Sequence, residues 1–380
     1  MNYLNKTREE LIIICKEKNI NGYSKKKKED IIKLLLDNSN ISSNISINTD
    51  IVQEQEKIYR LNYIGSKFKL LEWITNNIKE KTGWNSFENK IIGDLFSGTG
   101  IVSYYFRKNM AKVISNDAEL YSSIITQAFT RSLYTDNCKK IIDDFQNELN
   151  DNKHLTYNGF ITNNYSPNSE NERKFFTIDN AKRIDYIRSK LESIKDTILA
   201  DEYKFILASI LLSADAVSNV PAVYGCFLKN FKTKAIKTLI LLPIHNNTII
   251  PVEGSITYNT DVLDTTFINN NEYDMVYLDP PYNERQYSKN YFPLNIIAKT
   301  PEQLLTELPL KGKTGIPCDC FLSPFCKKGN SVENAFKFLF SGLKTKWIFL
   351  SYNSESIISK EKMLEIMNLY GNASVIEKEY

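Results

Sequence analysis

The stretch KIIGDLFSGTGIVSYYF, Lys90 to Phe106, constrains this chain more than any other. Apolar residues from Ile91 to Leu95 read as a buried strand, Gly98 and Gly100 permit a tight turn, and an apolar helix follows. A glycine loop lets backbone approach a ligand where a Cβ would intrude, and a helix N-terminus favours an anion. Tight turns between strand and helix also use glycine for steric reasons alone. The sequel AKVISND, Ala111 to Asp117, reads as the next strand and ends in an acid 17 residues after Gly100. In nucleotide-type α/β folds an acid at that place accepts hydrogen bonds from ribose hydroxyls.

A second stretch, MVYLDPPYNERQY from Met275 to Tyr287, runs an apolar strand into an acid, two prolines and a tyrosine. Pro280 and Pro281 lock φ and remove two backbone donors, so the turn presents free carbonyl acceptors beside Asp279 and the ring of Tyr282. Acceptors next to an aromatic face suit a flat ligand with an amino group, such as a nucleobase with an exocyclic amine. Read alone, the same residues also fit a plain strand-ending turn.

At 380 residues and 42% hydrophobic the chain has room for two or three domains and a packed core. No run approaches the roughly 18 apolar residues of a membrane span, and MNYLNKTREE lacks the apolar core of a signal peptide. An intracellular protein with no membrane association is expected. The six cysteines are too few and too uneven for a disulfide framework. CDCFLSPFC gathers three thiols, one short of a structural zinc site, and reads as a surface loop with incidental thiols, so no metal is expected. The net charge of +3 creates no global basic field, and nucleic-acid binding must come from local patches.

Residues 1–37 read as a small helical domain. Thr7 and Glu10 form a capping box, Leu11, Ile14 and Cys15 share one face, and a second helix buries Ile31, Leu34 and Leu35. Lys25, Lys26, Lys27 and Lys28 fall in the first turn of that second helix, where cations oppose the macrodipole unless an anion such as a phosphate backbone compensates. The pattern Leu4, Leu11, Cys15, Ile20, Gly22, Tyr23, Ser24, Lys27, Ile31, Leu35 resembles a SAP domain, a helix-extended-helix DNA-binding module. Residues 38–58, rich in Asn and Ser, read as a flexible linker.

Taken in order, Tyr63, Gly65 and Lys67, then Asp94, Phe96, Gly98 and Gly100, then Asp117, Asp261, and Asp279-Pro280-Pro281-Tyr282 resemble the Dam-like class of DNA adenine methyltransferases. The likeness covers most of residues 59–380. It implies a mixed, doubly wound α/β sheet that binds S-adenosylmethionine at the carboxyl ends of its strands. By the same resemblance, Tyr63, Gly65 and Lys67 would contact the methionine end of that cofactor. Asp94, Phe96, Gly98 and Gly100 would form its loop, Asp117 would take the ribose and Asp261 the adenine amine. Asp279, Pro280, Pro281 and Tyr282 would hold the substrate base.

Between Asp117 and Asp261 lie 143 residues, more than two strands and their helices need. The excess implies an inserted helical region over 150–255, which in the family recognises the target, with Lys229, Lys232 and Lys234, joined by Arg285, on the nucleic acid. A monomer acting on double-stranded DNA is expected, with a cognate restriction endonuclease as a further partner. Methylation of cytosine N4 or of RNA adenine, and a DNA-binding protein of the same fold without turnover, stand as alternatives. KWIFLSYNSES reads as the fifth strand and SKEKMLEIMNLYG as a helix. Residues 373–380 read as a terminal strand lacking its hairpin partner, as in a truncated product.

Overall fold

In this computed structural model the described residues are 57–247 and 249–379, with Thr7, Leu11, Ile12, Cys15, Lys27, Lys28 and Ile31. The chain divides into two units, Met1–Gln55 and Glu56–Tyr380. Within the first, Leu11, Cys15 and Ile31 are helical and fully buried, and Lys27 and Lys28 are exposed. The Leu11 amide donates to the Thr7 carbonyl at 3.1 Å. Lys25, Lys26, Glu10 and nearly all of 38–58 lie outside the described residues.

The second unit is built on five strands: β1 (Ile91–Asp94), β2 (Lys112–Asn116), β3 (Ile256–Tyr258), β4 (Glu272–Leu278) and β5 (Lys344–Leu350). Their order is β3-β2-β1-β4-β5, and every pairing is parallel. Ile92, Val113, Met275 and Tyr277 enter one hydrophobic cluster, while Leu95, Ile114, Val276 and Leu278 enter another. Alternate strand residues thus feed two cores, and the sheet is covered on both faces as parallel sheets require.

Helices α1 (Leu71–Thr82), α2 (Ile101–Lys108) and α3 (Leu120–Thr130) cover the first face. In the long β2-to-β3 connection, α4 (Asp136–Asn150), α5 (Phe160–Tyr165), α6 (Ile178–Ser193) and α7 (Ala200–Ala216) extend that same core rather than forming one of their own. Helices α8 (Thr265–Asn270), α9 (Tyr287–Asn290), α10 (Phe292–Ala298), α11 (Pro301–Leu305), α12 (Asn330–Gly342) and α13 (Lys360–Met367) complete the chain. Of these, α8, α12 and α13 close the second face.

Two expectations need correction. The sheet is parallel rather than mixed among the described residues, and residues 373–379 form no strand. The reason is visible in ASVIEKEY. Its two large aliphatic residues are adjacent, so in a strand they would point to opposite faces and give neither a buried stripe. Val375 and Ile376 remain 47% and 40% exposed. The tail is held instead by the Ala373 amide on Asn368 Oδ1 at 2.9 Å, by Lys360 with Glu377 at 2.8 Å, and by Lys378 over the Trp73 ring. No helix among the described residues is long and apolar enough to cross a membrane.

Candidate active site

Strand order reverses between β1 and β4, which lie side by side while their connections leave in opposite directions. Such a switch point opens a crevice at the carboxyl ends of the strands. Asp94 is the last residue of β1, and Asp279 directly follows β4, so the two acids flank that crevice. It is an open cleft of about 930 Å³, solvent at its mouth included.

Tyr63, Gly65, Lys67, Asp94, Phe96, Gly98, Asp117, Asp261 and the four residues Asp279 to Tyr282 all line it. Gly100 does not. It has φ +72° at the N-cap of α2, and a Cβ there would stand 2.9 Å from the Thr126 Cα and 3.0 Å from the Phe129 ring on α3. Its absent side chain lets α2 and α3 close behind the loop. Gly100→Ala is therefore expected to destabilise the fold by roughly 2–4 kcal/mol, combining left-handed strain with overpacking. Chemical denaturation would register that loss as a lower midpoint.

Gly98 sits at the centre of the loop. Its amide donates to Asp117 Oδ2 at 2.7 Å and its carbonyl accepts from Ser122 Oγ at 2.6 Å. Asp117 Oδ1 accepts from the Glu119 amide at 2.9 Å, so this acid ties the first turn to the end of β2. Asp94, 1% exposed, accepts from Ser103 Oγ at 2.6 Å. Burial raises its carboxyl to about 7 against the pull of the Ser103 hydroxyl, and Asp279 and Asp117 add like charge.

Above the loop, Tyr63 stacks on Tyr291 with centroids 4.8 Å apart and approaches Tyr287 at 5.6 Å. The Ile64 amide donates to the Tyr291 hydroxyl at 3.1 Å, and the Asn62 amide to the buried Asp215 at 3.0 Å. Lys67 then places its ammonium 2.6 Å from Asp279 Oδ2 and 2.8 Å from the Gly65 carbonyl. Burial raises the Asp279 carboxyl, and Lys67 opposes that rise. The lysine expected at one end of the cofactor thus stands against the acid expected on the base.

The remaining basic candidates divide. Lys229 and Arg285 are exposed and Lys234 is half-buried. Lys232 turns its ammonium inward onto the Val220 carbonyl, so its charge closes a loop rather than facing outward. The thiol-bearing segment also departs from expectation. Phe321, Ser323 and Phe325 form one wall of the crevice, and Phe325 meets Phe96 edge-on at 5.1 Å. Glu119, Ser288, Phe321 and Phe325 are site residues that sequence reasoning missed. The six cysteines are free, and no group of three or more metal-ligating side chains occurs among the described residues.

Residues 63–366 match the family of D12 class N6 adenine-specific DNA methyltransferases. The chain belongs to that family. It is 38% identical over 322 residues to the type II methyltransferase M.NlaIII of Neisseria lactamica, covering 84% of this chain and 91% of that one. It is 36% identical over 324 residues to M.CviAII of Paramecium bursaria Chlorella virus 1, covering 84% and 92%. M.FokI of Planomicrobium okeanokoites is 35% identical over 82% of this chain, which spans about half of that longer protein. No solved structure matches significantly. The D12 match covers Asp94 and Asp279, which flank the crevice, and the helices of the long β2-to-β3 connection.

Proposed function

We propose that this D12 methyltransferase uses the crevice between β1 and β4 to hold S-adenosylmethionine and a flipped adenine together, and transfers methyl to adenine N6 in double-stranded DNA. One observation carries the reading. The crevice is lined by the acids Asp94, Asp117, Asp261 and Asp279, apart from Glu119, against Lys67 as the single basic side chain among the described residues. Such a lining disfavours phosphate and suits a cation-bearing ligand and a base rich in N–H donors. The cofactor supplies an electrophilic methyl on a positively charged sulfonium, which this acidic lining fits.

The chain's own part is to orient the amine. Adenine N6 is a weak nucleophile because its lone pair is delocalised into the ring. The Asp279 carboxylate and the Pro280 carbonyl, both acceptors, would take its two hydrogens and favour a tetrahedral nitrogen. Lys67 opposes the rise that burial imposes on Asp279 and so favours its ionised, acceptor-only form. Positioning of this kind contributes at most roughly 7–11 kcal/mol. Stacking on Tyr282 would offset about 1–3 kcal/mol of the few that base flipping costs. Direct displacement forms no covalent enzyme intermediate and calls on no cysteine.

Around this site, the connection carrying α4–α7 would read the target, with Lys229, Lys234 and Arg285 on the nucleic acid. The first unit would act as a SAP-like DNA tether, and a restriction endonuclease of the same specificity would be the partner. Mapping methylated adenines across treated DNA tests the specificity, which requires them within one short sequence; scattered modification would contradict it. Deleting residues 1–55 is expected to weaken DNA binding and flatten its salt dependence, leaving the methylated sequence unchanged, since phosphate contacts position without specifying. A changed site in the shortened protein would refute the tether.

A further inference from the structure

Glu119 lines the crevice, is 6% exposed, and caps α3 without using its side chain for the cap. Its carboxyl reaches across the molecule instead. Oε2 lies 2.6 Å from Asn295 Nδ2, and Asn295 is fixed as the donor because its Oδ1 accepts from the Tyr121 amide at 3.1 Å. Oε1 lies 2.5 Å from Ser288 Oγ, and Ser288 Oγ lies 2.7 Å from the Phe321 carbonyl. A serine hydroxyl carries one proton. Placed between a carboxylate and a carbonyl, it could satisfy only one of them, leaving two acceptor oxygens facing without hydrogen at a buried site. Ser288 is itself 3% exposed.

We propose that Glu119 is a positioning residue that acts as a hydrogen-bond donor: its carboxyl proton goes to Ser288 Oγ, freeing the serine proton for the Phe321 carbonyl and fixing the aromatic wall of the crevice. The wall is docked at two neighbouring points on the chain that follows Tyr282. Gln286 Nε2 donates to the Ser323 carbonyl at 3.2 Å while the Ser323 amide donates to Gln286 Oε1 at 2.8 Å. Cys326 Sγ lies 3.3 Å from the Arg285 carbonyl. The Glu119 relay therefore couples the end of β2, on the expected cofactor side, to the segment that positions the base.

The electrostatics agree with the geometry. Burial lifts the Glu119 carboxyl to about 7, opposed by the Ser288 hydroxyl, while Asp117 adds to the rise and Asn295 and Lys299 work against it. Tyr121, Cys320 and Cys326 also face it, and all three are themselves raised by burial, so they stay neutral near neutral pH. A carboxyl raised in the folded state favours folding at low pH and loses that contribution as pH rises through its folded value. The wall should loosen on the alkaline side.

Glu119→Gln tests this, because an amide keeps one donor and one acceptor whatever the pH. The inference rests on the crevice being the transfer site, so the first readout is independent of transfer: amide exchange over residues 320–326 in cofactor-free enzyme, corrected for intrinsic pH dependence. Protection in the wild type should fall from about pH 6 to about pH 9 and stay level in E119Q. The KM for cofactor should follow the same split: within about twofold of wild type in E119Q at about pH 6, and about tenfold or more higher in E119A. Ser288→Ala gives the same loss as E119A by cutting the relay at its other end, should E119A fold poorly. If E119Q loses protection as E119A does, or wild-type protection is as flat with pH as that of E119Q, Glu119 is not the donor and the proposal falls. If exchange behaves as expected but no methyl reaches DNA, the relay stands and the transfer reading fails.

Discussion

Asp279→Ala is expected to lower methyl transfer by roughly 10²- to 10³-fold or more, the loss typical of one oriented polar group at a reacting centre. Cofactor affinity should stay close to that of the native protein. Asp279 follows β4 at the switch point and its carboxylate is the acceptor proposed for the amine, whereas Asp94, Asp117 and the Gly98 loop lie along β1 and β2. Calorimetric titration with cofactor beside a single-turnover transfer assay separates the two effects. Near-native transfer by this variant would remove Asp279 from the chemistry.

Lys67→Met should give the second large effect, and its pH dependence distinguishes it from the first. Burial pushes the Asp279 carboxyl up, and the ammonium 2.6 Å away holds it down. Without Lys67 the carboxyl rises further and is protonated more of the time at neutral pH, where its hydroxyl presents a donor to an amine that needs an acceptor. Loss of a hydrogen bond to a charged group, about 1.5–3 kcal/mol, corresponds to roughly 10- to 10²-fold in rate at pH 7. Raising the pH ionises Asp279 again, so part of the loss should return on the alkaline side. An equal loss at every pH would show that Lys67 serves binding alone.

What could be read from the sequence follows from what local pattern encodes. Strands β1, β2, β4 and β5 were legible because apolar runs bounded by acids and glycines fix both the element and its end, and those ends carry Asp94, Asp117 and Asp279. Helices α6 and α7 were legible through their apolar spacing, though not that they extend the main core. The terminal strand misled because aliphatic content was read without its period. Glu119 was hidden for a different reason. An acid at the start of a helix reads as a cap, and only the tertiary fold brings Ser288 and Phe321, 169 and 202 positions further on, to its carboxyl. CDCFLSPFC was similarly discounted for its thiols, when its aromatic residues build the wall.

The most direct test of the central claim is the chemical identity of the product. Enzyme, double-stranded DNA and S-adenosylmethionine labelled in its methyl group are incubated, the DNA is digested to nucleosides, and the label is located by chromatography. The account predicts all label in N6-methyldeoxyadenosine, with the amount from the Asp279→Ala protein lower by roughly 10²-fold or more. Label in N4-methyldeoxycytidine, or an intact protein that binds DNA and cofactor yet transfers nothing, would contradict it.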